Sequence, residues 1–96
     1  MSQSYYYSQQ QQQRKRGPGA HQPITGAANN GSGLIRITVA NHGYSTGNVV
    51  DISGVLGTTE ANRTGWTITV ITASTFDLQG STFSNAYISG GSVSLV

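Results

Sequence analysis

His42 is the first residue to test for chemistry. An imidazole can accept a proton near neutral pH or ligate a metal. Either role needs companions. Catalysis asks for a hydroxyl or water nucleophile, an orienting carboxylate and donors for developing charge. Hydroxyls are plentiful, but the chain has only three acids, Asp51, Glu60 and Asp77, and they fall in three separate segments. The other histidine, His21, sits far up the chain. Two His and three acids at these spacings match no ligand pattern. There is no cysteine, so a thiolate nucleophile, a Cys-based zinc site and a disulfide framework are excluded. A plainer reading is that His42 and Gly43 start a tight turn, with the imidazole bonded to backbone. Gly47, Gly54, Gly90 and Gly91 supply further turns. Gly31-Ser32-Gly33 is a turn as well, because a strand follows it where a phosphate loop needs a helix N-terminus. No catalytic, metal or cofactor site is assigned, and the chain is expected not to be an enzyme.

These residues sit in a chain that divides in two. Of its 96 residues only 8% are charged and thirteen are Gly, against about 25% charged residues in an ordinary domain. A coiled coil lacks its Glu and Lys here, and a small domain has little surface to spare for burying a large substrate. Met1 is followed by no apolar run that would make a signal peptide, and no stretch approaches the roughly 20 apolar residues of a membrane span. Residues 1–23 hold Tyr5, Tyr6 and Tyr7, a glutamine run that begins Gln9, Gln10, Gln11, the basic cluster Arg14, Lys15, Arg16, and Gly17-Pro18-Gly19. With no periodic apolar face, this arm cannot offset its own ordering entropy and is expected to be disordered unless bound. The arm carries +3. Residues 24–96 carry −1, from Arg36 and Arg63 against the three acids, and the sum is the +2 of the whole chain. The basicity therefore belongs to the arm.

Residues 24–96 read as an all-β barrel or sandwich of five to six short strands. Leu34 to Val39 alternates, with Ile35, Ile37 and Val39 on one face. Val50 and Ile52 share a face in a strand from Asn48 to Ser53. Trp66, Ile68 and Val70 alternate with Thr67 and Thr69, the pairing of large apolar and β-branched residues that suits a half-buried strand. Phe76 and Leu78 belong to a strand from Thr75 to Leu78, and Ser92 to Val96 forms another. Ile24 and Thr25 are expected to add an edge strand. Thr58 to Asn62 suits one helical turn capped by Thr58 or Thr59.

The stretch His42-Gly43-Tyr44-Ser45-Thr46-Gly47-Asn48-Val49-Val50-Asp51-Ile52-Ser53-Gly54-Val55 resembles a pattern in small β-modules of tailed-bacteriophage virion proteins. Thr75-Phe76-Asp77-Leu78 and Tyr87-Ile88-Ser89-Gly90-Gly91 continue it. Such modules are described as like the first catalytic-cysteine half-domain of ubiquitin-activating enzymes, a likeness of barrel shape rather than of chemistry. The resemblance covers about residues 24–96. Asn48 replaces the usual Asp, and Asn62-Arg63-Thr64-Gly65 stands where the modules make an Asn-Gly turn.

The resemblance implies a non-enzymatic structural protein of a phage virion, made in the host bacterial cytoplasm. On this reading the arm bridges neighbouring subunits at the head–tail junction or tail. Its partners would be portal, adaptor, tail or major capsid subunits, with the protein itself a homo-oligomer or symmetric array. A capsid cement or decoration protein is the alternative within that class. The tyrosines offer amphipathic contact area at low entropy cost, though a Gln/Tyr-rich segment could also be inert or prone to β-aggregation. Arg14, Lys15 and Arg16 fit an acidic groove on a protein better than nucleic acid, because the domain is not basic. A host-surface carbohydrate-binding module is the third reading, with Tyr44 and Tyr87 as its aromatics and Trp66 assigned to the core. Neither a membrane nor a cofactor is expected as a partner.

Overall fold

The computed structural model describes residues 20–96. They form seven strands: β1 (Gln22–Pro23), β2 (Gly26–Asn29), β3 (Ile35–Thr38), β4 (Val49–Ser53), β5 (Arg63–Thr72), β6 (Thr75–Leu78) and β7 (Ser92–Leu95). The sheet order is β1-β7-β4-β5-β6-β3-β2, and every pairing is antiparallel. The all-β class is as the alternation requires. Seven strands replace the expected five to six because the first run of chain is split. The sheet curls into a half-barrel.

One strand does most of the curling. The first half of β5 pairs with β4, Trp66 opposite Val50 and Thr67 opposite Val49. Its second half pairs with β6, Ile68 opposite Leu78 and Val70 opposite Phe76. Two register shifts help it bend. Near its start, three steps on β5 (Arg63 to Trp66) face two on β4 (Ile52 to Val50). The extra residue lies beside Gly65, which has φ +79° and donates its N–H to Asp51 Oδ1 at 2.9 Å. Near its end, Val70 and Thr72 face consecutive residues of β6, which leaves Ile71 as the extra one. Asn62-Arg63-Thr64-Gly65 is therefore not a turn into a strand. Arg63 already belongs to β5, and the glycine serves a bulge.

The two ends of the curled sheet are laced by one run of chain. β1 pairs with β7 and β2 with β3. Between them, Ile24 N–H donates to Gly91 O and Thr25 N–H to Thr38 O, each at 2.9 Å. Ile24 and Thr25 thus form the crossing point between two short strands rather than an edge strand. The ordered pairing starts at Gln22, two residues inside the segment read from sequence as arm. Gln22 is buried, and its amide nitrogen donates to His42 O at 2.9 Å.

The concave face carries the core. Ile35, Ile37, Val39, Val50, Ile52, Trp66, Ile68, Phe76 and Leu78 are all buried, while Val70 is half-buried against them. Trp66 places its indole N–H on Ala61 O at 2.9 Å, which removes the cost of burying that donor. Arg63 lies over the same ring, 3.5 Å from its centroid. Thr59–Ala61 makes the expected helical turn, of 3₁₀ type. Its cap is not as expected. Thr58 occupies the N-cap position without a side-chain capping bond, because its hydroxyl is buried and donates to Asn85 O at 2.7 Å.

Gly91 has φ +106°, and a Cβ there would meet Val55 Cγ2 at 2.5 Å. Gly31 has a similar φ of +101° with nothing within 4 Å. Gly31→Ala should therefore cost only backbone strain, about 1 kcal/mol. Gly91→Ala should cost that plus about 1–3 kcal/mol of overpacking. Urea unfolding of the two variants reads the difference directly, and equal midpoints would contradict the close packing of Gly91 on Val55.

Candidate interaction surface

The turn that opens at His42 is built as an aromatic shelf. Nδ1 of His42 accepts the Tyr44 N–H at 3.0 Å, so the proton resides on Nε2, which donates to Thr72 O at 2.9 Å. Both ring nitrogens are committed to backbone, and His42 is 5% exposed. Tyr44 stacks on the imidazole, with centroids 5.4 Å apart and planes within 19°. Phe76 meets both rings edge-on, at 5.3 and 5.8 Å. This arrangement anchors the loop through both ring nitrogens. Asn41, His42, Gly43, Tyr44, Val70 and Ala73 line an open cleft of about 400 Å³.

The three acids are also spent on structure. Asp77 is buried and receives Arg36 through Nε at 2.7 Å and Nη2 at 3.2 Å, and Asn30 Nδ2 at 2.9 Å. Burial works against its charge, but the Arg36 and Asn30 bonds outweigh that and hold the carboxyl below its ordinary range. Glu60 reaches across to the long loop before β7. It accepts Ser84 N–H at 2.6 Å, Asn85 N–H at 2.9 Å and the Asn85 side chain at 3.0 Å. Desolvation opposes its ionisation, yet these donors together bring its pKa to about 2. Asp51 accepts the bulge amide of Gly65. Among the described residues, no group of three or more His, Cys, Asp or Glu is placed to hold a metal ion.

The glycine loop at 31–33 has no free cradle either. Asn29 Oδ1 accepts the N–H groups of Gly31 and Gly33 at 2.7 and 3.1 Å. Asn30 Oδ1 accepts those of Ser32 and Leu34 at 2.7 and 3.2 Å. The donors a phosphate would need are used by side chains of the same loop, as expected of Asx turns.

The predicted turn glycines Gly43, Gly47, Gly54, Gly90 and Gly91 all have positive φ. The aromatic residues weighed for sugar binding lie in different settings. Trp66 is buried, Tyr44 is half-buried in the shelf, and Tyr87 is half-buried with its hydroxyl donated to Gly90 O at 2.9 Å. The arm candidates Tyr5, Tyr6, Tyr7, Gln9, Gln10, Gln11, Arg14, Lys15 and Arg16 lie outside the described residues.

Sequence reasoning missed an exposed apolar bridge. Leu56 N–H donates to Ser89 O and Ile88 N–H to Leu56 O, each at 2.9 Å. Leu56 is thus bridged to Ser89, and Leu56 and Ile88 are 55% and 73% exposed. Gly57 lets the strands approach, since a Cβ there would strike Ala86 O. The signal was Leu56 and Ile88 standing outside any alternating run, but nothing in the spacing pairs Leu56 with Ser89, 33 positions away.

Glu60 carries a prediction about pH. Its folded pKa is depressed from 4.5 to about 2, so its stabilisation is full above 4.5 and is lost as pH falls toward 2. Because Glu60 is partly solvated, the effect is about 1 kcal/mol. Glu60→Gln should lower stability by that amount at pH 7 and flatten the pH dependence between 4.5 and 2. Denaturant midpoints at pH 7, 4.5 and 2.5 measure it, and an unchanged acid slope would remove Glu60 from this role.

The family model of the ubiquitin-activating enzyme E1 FCCH domain matches residues 30–96. The chain belongs to that family. No curated protein is significantly similar to it.

Proposed function

We propose that this FCCH-family chain is a non-enzymatic structural protein of a tailed-phage virion, which bridges neighbouring subunits through its N-terminal arm. The observation that carries the reading is the separation of roles along the chain. In the body, His42, Asp51, Glu60 and Asp77 each commit polar atoms to bonds that hold the fold. The net positive charge and the run of three tyrosines lie in residues 1–19. A body of this kind offers surface rather than a reactive centre. Thioester chemistry of the ubiquitin-activating type needs a cysteine, and the chain has none.

The phage setting rests on the resemblance of residues 42–55, 75–78 and 87–91 to virion modules. Within that setting the partners are portal, adaptor, tail or major capsid subunits. The arm, at about 3.3–3.6 Å per extended residue, reaches across more than one of them. The exposed side chains of Leu56 and Ile88 give the body apolar surface of its own. Many weak contacts repeated by symmetry would supply the affinity. Nucleic acid is a poorer partner. The body's two cations are Arg36, bound to Asp77, and Arg63, set over Trp66.

Cryo-electron microscopy of the intact particle tests the proposal. Density for residues 1–19 running over adjacent subunits is the expected result, and its position separates the head–tail junction or tail from a capsid cement site. A body at a projecting tip with no arm density on neighbours would overturn bridging and favour host-surface recognition.

A further inference from the structure

We infer that Asn30 is a modification site held shut by the folded loop. It deamidates through its neighbour Gly31 only where the loop at residues 29–34 opens, and the product cannot rebuild the contacts that kept it shut.

The sequence supplies the reactive pair. The chain has six asparagines, and only Asn30 is followed by glycine. In such a pair the glycine nitrogen attacks the asparagine side-chain carbonyl. A bond forms between Gly31 N and Asn30 Cγ, and the N–H proton goes to hydroxide or a buffer base. The Cγ–Nδ2 bond breaks and the nitrogen leaves as ammonia. Water then opens the five-membered imide to aspartate or isoaspartate. The attack needs an unhindered nitrogen that base and water can reach. Gly31 is exposed, and nothing lies within 4 Å of where a Cβ would stand.

The folded loop engages the atoms that this step uses. Gly31 N–H, the nucleophile, is donated to Asn29 Oδ1 at 2.7 Å. Asn30 Nδ2, the leaving group, donates to Asp77 Oδ2 at 2.9 Å. Asn30 Oδ1 accepts the N–H groups of Ser32 and Leu34 at 2.7 and 3.2 Å. Bonds on both ends of the amide hold it against the rotation that would turn Cγ toward Gly31 N. The clamp is firm at its far end, because Asp77 is buried in β6 and paired with Arg36. Conversion therefore follows the fraction of molecules in which the loop is open.

The change runs one way. Loss of ammonia replaces the Nδ2 donor with a carboxylate oxygen that faces Asp77 Oδ2. Two like charges at that distance repel, and Arg36 is left to balance both. In the isoaspartate form the main chain also gains a methylene, which displaces the bonds to Ser32 and Leu34. Asn30 N–H pairs with Leu34 O at 2.9 Å and closes the β2–β3 hairpin, so conversion loosens the end of β2. The inference rests on this loop and is independent of the bridging proposal.

The test is peptide mapping by mass spectrometry. The full chain is held at mildly alkaline pH, in buffer and in concentrated urea. In urea, Asn30 should convert first of the six asparagines; in buffer it should convert roughly tenfold more slowly, or slower still. Asn29→Ala frees the Gly31 N–H while keeping the Asp77 clamp, and should speed conversion in buffer but not in urea. Asn30→Asp, which mimics the product, should lower the urea midpoint of the chain. Conversion as fast in buffer as in urea would overturn the inference, as would an Asn29→Ala rate in buffer equal to the parent's. A parental midpoint for Asn30→Asp would remove the one-way character and overturn it too.

Discussion

The fold depends on a sheet edge being closed by the chain that begins it. Ile24 and Thr25 are adjacent, yet their amides donate to opposite ends of the sheet, to Gly91 O and Thr38 O. This lacing leaves less unpaired backbone at the ends of a sheet rich in Thr and Val, which would otherwise invite association. It also dictates which glycines are needed. The carbonyl of Gly91 must come close to Ile24 while its α-carbon packs on Val55, and that spacing leaves no room for a side chain. Gln22 then follows the closure inward, with its amide on His42 O, so the point where the arm meets the body is set by the same constraint.

A second consequence is that few polar groups remain for chemistry. A domain this small has a thin core, and it compensates by tying long loops with side-chain bonds to backbone. Asn62 does so on both atoms, accepting Val55 N–H at 2.9 Å and donating to Val55 O at 3.0 Å. Ser81 takes the place of a strand partner for Ile35 N–H. Glu60 and Thr58 together hold the loop at residues 84–85. Each bond is worth about 1 kcal/mol, a useful fraction of the stability of a marginal domain. The same commitment leaves the body mainly surface to present, which suits the bridging role proposed for it.

Alternation along strands was legible because its period of two is local. Ile35, Ile37 and Val39 declare one face whatever lies opposite, and Trp66 and Ile68 do the same for β5. The β-class and most strand positions follow from that, as do the turn glycines, since left-handed backbone restricts residue type wherever it occurs. The backbone-bonded turn at His42 was also expected, from Gly43 beside it and the lack of acids at workable spacing.

What tertiary structure alone decided are the contacts between residues far apart in the chain. The split of residues 22–29 between two sheet ends, the bulge at Gly65, the salt bridge of Arg36 with Asp77 and the bridge of Leu56 to Ser89 all depend on where the curl brings strands together. Neither member of such a pair changes the local pattern around it. The physical reason is one of range. Residue type and period act over a few bonds, whereas curvature and register emerge only when seven strands close on a common core.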